Sequence, residues 1–349
     1  MKHFLLFFVG AILLSSFNAC AQDDPILEEL ENENVLRVVE VEKSNRHLAF
    51  TSITGSEDRS KLVLVYREGS AHASFDGELI QVESYDKGQT WENRRVIYRT
   101  DGSDARDPQF FLRSDGHLLC RFFERESESE STVKCLHSDN LGNTYTSLSS
   151  FPFPAEEKFA AARGNMVEID GAIYTVCYNR WAQSWWVRSE DGGNTWKIIS
   201  GIDDALGTPD SPFLRINEAS LGYEDGKLYM VARTQGNDTY MQLGISSDLG
   251  RNWTWKTIPI KGQAPSMTPY DGGFILTYRL VNVVNESYEF QVAYLKDGEI
   301  YGTPVSLFHS RTMDIGYGDA LTLPNSFLVC CYQPNKIVCY EISYDIFNQ

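Results

Sequence analysis

Basic residues are scarce in this sequence, and so are stretches apolar enough to cross a membrane. Lys and Arg together number 31 against 48 Asp and Glu in 349 residues, so the formal net charge at pH 7 is −17. This excess of acid argues against nucleic acid or an anionic membrane surface as an electrostatic partner. Such a chain can bind an anion only where several of its few arginines lie together.

Motifs that hold metals or nucleotides are also missing. The sequence has no Walker lysine, no Gly-x-Gly-x-x-Gly after a strand and no EF-hand loop, and its cysteines lack zinc spacing. We therefore expect no cofactor and no metal. The cysteines beyond the N-terminal segment are Cys120, Cys135, Cys177, Cys330, Cys331 and Cys339. Either neighbouring strands pair some of them, Cys120 with Cys135 or Cys330 or Cys331 with Cys339, or all are buried thiols.

Residues 1–20 have the pattern of a signal peptide rather than of a folded segment. A positive Lys2 precedes the apolar stretch Phe4–Leu14, which is too short to span a bilayer as a helix. Signal peptidase I would cut after Ala21, whereas Ala19-Cys20 resembles a lipobox in which Cys20 is lipidated. We expect the lipoprotein form, exported to the outer membrane or cell surface, and otherwise a periplasmic protein. Its only membrane contact would be this lipid anchor.

An octapeptide recurs four times, at intervals of 51 to 57 residues. Each copy has a serine, an Asp or Asn, a glycine and an aromatic residue in register, and the copies are Ser84–Trp91, Ser138–Tyr145, Ser189–Trp196 and Ser246–Trp253. A period near fifty residues is typical of repeat architectures. The pattern resembles the Asp-box of sialidases and related propellers, in which it closes a tight hairpin turn. We interpret the copies as structural turns.

A second repeat lies between the octapeptides and sets the number of units. Asp-Gly turns join pairs of β-rich segments at Asp115-Gly116, Asp170-Gly171, Asp225-Gly226 and Asp271-Gly272. Units of four strands then begin near Ala49, Asp107, Arg163, Glu218, Ser266 and Tyr317. The last unit lacks a strand, which Val35–Val41 supplies. The sequence therefore predicts an all-β, six-bladed β-propeller over residues 35–349, preceded by a linker at 21–34, and we expect a monomer.

The propeller topology sorts residues by face. If both kinds of turn lie on the lower face, the upper face receives the starts of inner strands and the loops after second strands. Seven arginines fall at such positions, namely Arg46, Arg67, Arg106, Arg163, Arg180, Arg233 and Arg279. The substrate-binding residues predicted from this face are Arg46, Arg67, Arg106, Asp107, Arg163, Arg233, Arg279 and Asp319. Bridges between arginines and carboxylates that join blades are the alternative interpretation.

Two segments on this face resemble those of sialidases in detail. The segment from Asn217-Glu218 to Val231-Ala-Arg233 is similar to the one that carries the catalytic glutamate and second triad arginine of that family. The segment Asp314–Leu321, with Gly316-Tyr317, is similar to the one that carries its nucleophile, and Arg279 falls where the third triad arginine is expected. The N-terminal blade departs from the family, because Arg46-His47-Leu replaces the usual Arg-Ile-Pro.

The resemblance implies a mechanism. Tyr317 attacks the anomeric carbon after Glu218 withdraws its proton, since a carboxylate nucleophile would be repelled by an acidic sugar. Arg233, Arg279 and either Arg67 or Arg46 bind the substrate carboxylate. His72 or Asp76, on the loop Arg67–Gly77, is the general acid and base. The assignment requires Tyr317 and Glu218 to lie within hydrogen-bond reach.

The expected function is that of a retaining exo-glycosidase that removes sialic acid or a related ulosonic acid from extracellular glycans. The expected partner is therefore a glycan or glycoconjugate. Two alternatives stay open, since fold does not fix function. One is a hydrolase or lyase for uronic-acid polysaccharides, and the other is a glycan-binding propeller without turnover.

Overall fold

The computed structural model describes residues 27–154, 156–202, 215–236 and 239–348. These residues form an all-β structure of six antiparallel sheets arranged as a β-propeller, which confirms the predicted fold. The 3-10 helix Tyr344–Asn348 follows the last strand. The expected signal peptide and Cys20 lie outside the described residues.

Each blade contains four strands in chain order, counted from the propeller axis outward. The strands of the first three blades are β3 (His47–Gly55), β4 (Leu62–Gly69), β5 (Glu78–Ser84), β6 (Glu92–Tyr98), β7 (Asp104–Leu112), β8 (Leu118–Arg125), β9 (Ser131–Ser138), β10 (Ser147–Ser150), β11 (Val167–Ile169), β12 (Ala172–Tyr178), β13 (Ser184–Ser189) and β14 (Lys197–Gly201). Blades four and five are β15 (Ile216–Glu224), β16 (Lys227–Thr234), β17 (Gln242–Ser246), β18 (Thr254–Thr257), β19 (Gly262–Tyr270), β20 (Gly273–Asn282), β21 (Ser287–Lys296) and β22 (Glu299–Ser310). The sixth blade contains β23 (Gly316–Thr322), β24 (Ser326–Gln333) and β25 (Lys336–Ser343).

The ring closes through the N-terminal segment. Strand β2 (Val35–Lys43) pairs with β25 as the outer strand of the sixth blade, where Val35–Val41 was predicted to lie. A further short strand, β1 (Leu27–Glu29), pairs with the outer strand β22 of the fifth blade. The expectation of a linker up to residue 34 therefore needs correction, because residues 27–29 are part of a sheet. Glu29 also accepts hydrogen bonds from Gln333 and Tyr340, so this strand joins the fifth and sixth blades.

The octapeptides connect the third and fourth strands of blades one to four, as predicted. In the first copy, Asp86 Oδ1 accepts the backbone N–H groups of Gln89 and Thr90, both over 2.9 Å. The leading serine of each copy accepts the N–H of its glycine, as Ser84 does from Gly88 over 2.8 Å. Gly88 has a φ of +81°, a backbone conformation that L side chains rarely adopt. These contacts hold the turn without help from the rest of the blade.

The core lies between blades rather than in one central mass. Six clusters of buried apolar residues are present, one at each junction of adjacent blades. The aromatic residue of each octapeptide packs on the blade before it, as Trp196 does by stacking on Phe151 with ring centroids 4.2 Å apart. Burying one such side chain contributes roughly 2–3 kcal/mol.

Two of the cysteines form a disulfide, Cys330–Cys339, which links the facing strands β24 and β25. The remaining described cysteines are buried thiols, namely Cys120, Cys135, Cys177 and Cys331. Of the alternatives left open by the sequence, the pairing of Cys330 with Cys339 is therefore present, and the other four described cysteines are thiols. Within the described ranges, no helix has the length and apolarity needed to cross a membrane.

Candidate active site

Every blade has a residue in the left-handed backbone region near the start of its inner strand, and in the sixth blade the adjacent Gly316 (φ +88°) lies there too. We consider one such residue from each blade. These six residues are Phe50 (φ +60°), Asp107 (+48°), Gly164 (+89°), Glu218 (+43°), Ala264 (+51°) and Tyr317 (+45°). In the five blades other than the third, the inner strand has a β-bulge at this point. We call them the bulge residues. Five of the six are not glycine, so the strain must be compensated by the surrounding structure, a feature concentrated at functional sites.

The bulge residues meet one another at the upper end of the axis. The rings of Phe50 and Tyr317 lie with centroids 5.2 Å apart, and the backbone N–H of Ala264 donates to Glu218 Oε2 over 3.1 Å. Tyr317 Oη donates a hydrogen bond to Glu218 Oε1 over 2.7 Å. The hydrogen bond that the implied mechanism requires is therefore present, between blades four and six.

At neutral pH the Tyr317 phenol keeps its proton and the Glu218 carboxyl is ionised. Burial, together with the charge of Glu218, raises the pKa of Tyr317 to about 12. Burial alone would raise the pKa of Glu218, but Arg233 and the hydrogen bond from Tyr317 hold it below its ordinary value. The result is a neutral phenol that donates to an ionised carboxylate, as nucleophile activation by a base requires.

Three guanidinium groups surround this pair. Arg233 Nη1 donates to both carboxylate oxygens of Glu218 over 3.0 Å. Arg279 lies over the Tyr317 ring, 4.8 Å from its centroid, and its Nη1 donates to the carbonyl of Ile315 over 3.2 Å. Arg163 lies over the same ring at 5.3 Å. These charges favour an anion on or beside the Tyr317 phenol.

Arg163 differs from the other arginines of the site in its hydrogen bonding. Its side chain is fully buried, yet its Nε, Nη1 and Nη2 atoms donate no hydrogen bond to any part of the chain that the structure describes. Leaving such a donor unmatched is costly, because burial removes its hydration. An anionic or oxygen-rich ligand beside Tyr317 would supply the missing acceptors.

The two candidates for a third carboxylate-binding arginine are engaged elsewhere. Arg67 is fully buried and donates to Asp104 over 2.7 Å, to the carbonyl of Ala71 and to Ser74. Arg46 is about two-fifths exposed and pairs with Glu68 and Asp76 on the outer side of the loop. Both guanidinium groups are thus engaged by other partners, and the third member of the three-arginine carboxylate site stays a prediction. The spacing of the sequence could not show this, because it does not reveal which carboxylate an arginine meets.

Asp107 and Arg106 flank the site from the second blade. Arg106 donates to Asp104 over 3.1 Å and lies over the ring of Phe50, 4.9 Å from its centroid. Asp107 is buried, and its Oδ1 atom has no hydrogen-bond partner in the described part of the chain. Burial raises the pKa of Asp107 above its ordinary value, with Arg163 and Arg106 opposing the shift and Glu218 adding to it.

His72 lies at the rim of the site and is held by a residue that the sequence did not single out. Its Nδ1 atom bonds Asp314 Oδ1 over 2.9 Å, and its ring packs against Phe50. His47 Nε2 bonds the other oxygen of Asp314 over 2.7 Å, and Tyr332 also donates to Asp314. Burial alone would raise the pKa of Asp314, but these hydrogen bonds and the two histidine charges bring it well below its ordinary value.

The ligand atoms of His47, His72 and Asp314 lie close enough together to suggest a metal site. The remaining imidazole nitrogens face guanidinium donors, since Arg67 lies 3.4 Å from His47 Nδ1 and Arg106 lies 3.4 Å from His72 Nε2. A metal-bound imidazole carries its proton on the remote nitrogen, which here would face another donor. Two nearby guanidinium charges also disfavour a second cation, so the cluster fits hydrogen bonding better than metal binding.

The structure gives Asp76 the role of a loop residue. Its Oδ1 atom accepts hydrogen bonds from the backbone and side chain of Ser70, and its Oδ2 atom pairs with Arg46 over 3.1 Å. The hydrogen bonds from Ser70 and Ser74 and the charge of Arg46 outweigh burial and lower the pKa of Asp76. A carboxyl whose pKa is lowered is poorly suited as a general acid, so these contacts favour a structural role for Asp76, and its catalytic role stays a prediction.

Asp319 makes hydrogen bonds that join several blades at the axis. It is buried on the axis and accepts hydrogen bonds from Ser52 (2.8 Å), Gln109 (3.0 Å) and Ser266 (2.8 Å), which belong to three other blades. Gln109 donates in turn to Asn165, whose backbone N–H donates to Ser220. These six residues form what we call the axial polar ring, with one member from each blade. These contacts favour a structural role for Asp319, and its role in substrate binding stays a prediction.

Beyond the axial polar ring, the lower end of the channel holds a cavity of about 380 Å³. Its walls are the later halves of the inner strands, including Phe110, Leu221 and Met267. The polar ring thus separates this cavity from the Tyr317–Glu218 pair.

The residues that sequence reasoning missed share no local signal. Asp314, Tyr332 and Gln263, which bonds Arg279, lie on blades five and six and act through contacts with other segments. The bulge residues have side chains as different as Phe, Gly and Tyr. Only the unit boundaries, several of which fall at or beside them, pointed to these positions.

No family model matches the chain, and no curated protein matches it in sequence. Solved structures do match. A protein of unknown function from Dyadobacter fermentans is 21% identical over 88% of this chain and 98% of its own, with a TM-score of 0.72. The NanB sialidase of Streptococcus pneumoniae is 11% identical over 90% of this chain and 71% of its own, with a TM-score of 0.67. The α-L-arabinofuranosidase Arb93A of Fusarium graminearum is 12% identical over 90% of this chain and 100% of its own, with a TM-score of 0.63. At these identities the likeness shows the six-bladed propeller fold.

Proposed function

We propose that this protein is a retaining exo-glycosidase that removes a terminal acidic sugar, sialic acid or a related ulosonic acid, from glycans outside the cell. The observation that carries the proposal is the 2.7 Å hydrogen bond from Tyr317 Oη to Glu218 Oε1. A buried tyrosine that donates to an ionised carboxylate, surrounded by arginines, is an arrangement suited to nucleophilic attack.

The first step uses the pair as nucleophile and base. Because burial and Glu218 raise the pKa of Tyr317 to about 12, the phenol is neutral at pH 7 and cannot attack unaided. Glu218 takes the phenolic proton as Tyr317 Oη bonds to the anomeric carbon. Arg279 and Arg163, over the tyrosine ring, stabilise the negative charge that develops on its oxygen. The same charges help the phenolate to leave in the second step.

An acidic substrate fits the charge of the site. A sugar with a carboxylate on its anomeric carbon repels a carboxylate nucleophile, whereas a neutral tyrosine avoids that repulsion. Arg163 offers unmatched donors beside Tyr317, and Arg233 and Arg279 place two further positive charges there. We therefore assign the substrate carboxylate to Arg163 with Arg233 and Arg279, in place of the arginine that Arg67 or Arg46 was expected to supply.

The test is turnover of a panel of 4-methylumbelliferyl glycosides by the purified full chain. The panel contains α-linked sialic acid, a simpler ulosonic acid, a uronic acid and α-L-arabinofuranose, since the fold also occurs in an arabinofuranosidase. Hydrolysis of an ulosonic acid with retention, followed by NMR of the released anomer, is the expected result. Turnover of the uronic acid or arabinofuranoside alone would overturn the assigned substrate. Tight binding of a sugar without turnover would favour a glycan-binding protein.

A further inference from the structure

We propose that Asp107 is the general acid and base of this site, the residue that protonates the leaving group and later activates water. The inference rests on the proposed function and assigns its remaining catalytic role. It replaces His72 and Asp76, which the sequence suggested for that role.

Asp107 occupies the same position in its blade as Glu218 and Tyr317 occupy in theirs. Asp107, Glu218 and Tyr317 are the bulge residues of blades two, four and six, so every second blade of the ring contributes one of them. The bulge residues of the blades between are Phe50, Gly164 and Ala264, none of which exchanges protons. Since the inner strands are related by the repeat of the fold, the same backbone distortion presents all three reactive side chains to the upper end of the axis.

The surroundings of the Asp107 carboxyl suit a general acid. Its Oδ1 atom is buried and has no hydrogen-bond partner among the described residues. The charged groups that face it are Arg106 from its own strand, Arg163, Glu218 and His72. Because Asp107 also raises the pKa of Tyr317 through its charge, the two groups lie within electrostatic reach of each other. A buried carboxyl whose pKa is raised, beside a second carboxyl whose pKa is lowered, is the usual division between acid and base.

The other two candidates, His72 and Asp76, are bound by other residues. Asp76 is bound by Ser70 and Arg46 at the loop surface. The two nitrogens of His72 face Asp314 and Arg106, so both are engaged by other side chains. Asp107, by contrast, has a carboxylate oxygen without a partner among the described residues and interacts electrostatically with Tyr317 and Glu218.

The chemistry then balances in two steps. In the first, Tyr317 Oη bonds to the anomeric carbon, its proton passes to Glu218, and the glycosidic bond breaks as Asp107 gives its proton to the departing oxygen. In the second, the Asp107 carboxylate takes a proton from water as the water oxygen bonds to the anomeric carbon. Tyr317 leaves and recovers its proton from Glu218, so enzyme and proton count return to the start.

The experiment compares Asp107→Ala with the wild-type chain on two glycosides of the sugar that the wild type hydrolyses. One has a nitrophenyl leaving group, which departs without protonation, and the other has a sugar leaving group, which needs it. Loss of a general acid lowers kcat/KM for the sugar-linked substrate by roughly 10²–10⁴-fold and changes the nitrophenyl substrate far less. Azide, added as an external nucleophile, should restore turnover of the nitrophenyl substrate and give a glycosyl azide of retained configuration.

Four further variants complete the design. Asp107→Asn preserves the size of the side chain and should show the same leaving-group dependence if Asp107→Ala folds poorly. His72→Ala and Asp76→Asn should lose activity equally on both substrates, or not at all. Asp101→Asn, at an exposed aspartate in the loop before β7, is a control for loss of a carboxyl as such.

The results distinguish a failure of the Asp107 assignment from a failure of the proposed function. Equal losses on both substrates in Asp107→Asn, without an azide product, would overturn the role of Asp107, as would the leaving-group signature in His72→Ala. Full activity of Tyr317→Phe, with the leaving-group dependence still present in Asp107→Asn, would instead overturn the assignment of Tyr317 as the nucleophile. An inactive wild type would overturn both.

Discussion

Tyr317 Oη donates a 2.7 Å hydrogen bond to Glu218 Oε1, although the two residues are 99 positions apart in the sequence. Both are bulge residues, with φ values of +45° and +43°, and both side chains reach the axis because their inner strands are distorted at the same point. The contact links blades four and six across the upper end of the channel. The distortion stores strain that the interblade packing compensates.

Replacing Tyr317 by Phe should remove the nucleophile and leave the pocket intact. We expect kcat to fall on the order of 10³-fold or more, because a nucleophile acts as a unit with its base. Affinity for the free acidic sugar should stay near that of the wild type, as measured by calorimetry. Undiminished turnover in this variant would mean that another group attacks the sugar.

Glu218 has a structural effect as well as a chemical one. Its removal in Glu218→Ala leaves Arg233, whose side chain is only 17% exposed, without its counter-charge, which costs about 3 kcal/mol of unfolding free energy. Glu218→Gln retains the acceptor for Tyr317 and Arg233 and should cost less, while losing turnover to a similar degree. Urea denaturation of both variants, with the exposed Glu92→Ala as control, measures the difference. Equal stability of the Ala and Gln variants would contradict the pairing.

Arg163 and Arg67 are both fully buried but should respond in opposite ways to substitution by Met. Arg163→Met removes a cation without hydrogen-bond partners, so stability should hold or rise while KM for the acidic substrate increases at least about tenfold. Arg67→Met leaves Asp104 without its buried partner, so the unfolding free energy should fall by about 3 kcal/mol.

Steady-state kinetics and denaturation of the folded Arg163 and Arg67 variants check both quantities. A raised KM confined to Arg67→Met would restore the three-arginine site implied by the sequence.

Asp319 should prove structural. Asp319→Ala removes the acceptor for Ser52, Gln109 and Ser266, and about 1 kcal/mol or more per hydrogen bond predicts a loss of roughly 3 kcal/mol. The fraction that folds should keep the KM of the wild type, since the side chain lies in the axial polar ring. Asp319→Asn preserves one acceptor oxygen, so its unfolding free energy should lie between those of the wild type and Asp319→Ala. A raised KM with unchanged stability would mean that Asp319 binds substrate.

Asp314 predicts a pH dependence of stability. His47 and His72 hold its pKa well below the ordinary 3.8, so the folded state favours the carboxylate. Its contribution is therefore fully present above about pH 4 and is lost as the pH falls further toward the lowered pKa. Asp314→Asn should be less stable at neutral pH and lose less on acidification, measured by thermal denaturation at a series of pH values. Parallel curves for the two proteins would contradict the assignment.

The repeats were enough to predict the fold. Octapeptides such as Ser84–Trp91 and turns such as Asp225-Gly226 make their contacts within a few residues, so their sequences determine their geometry. Their period gave six blades, and the missing strand of the last unit gave the closure by β2. The segments around Glu218 and Tyr317 also gave the central pair of the site, because the resemblance covered residues on both inner strands.

The remaining site depended on contacts between distant segments. Arg67, Arg163 and Arg279 were all predicted to lie on the upper face, yet one pairs with Asp104, one has no partner among the described residues and one binds carbonyls beside the sixth blade. Their sequence neighbours do not distinguish these outcomes. The role of Asp319 was likewise set by hydroxyl and amide groups from three other blades.

The sequence by itself determined the blades, their number and the face on which the arginines lie, because those properties follow from local turns and strand periodicity. Only the tertiary structure decided which arginines lack a hydrogen-bond partner among the described residues, which carboxyl has a raised pKa and which residues close the channel. The reason is physical. Charge and burial depend on what lies within a few ångströms in space, and in a ring of six blades those neighbours come from segments far apart in the chain.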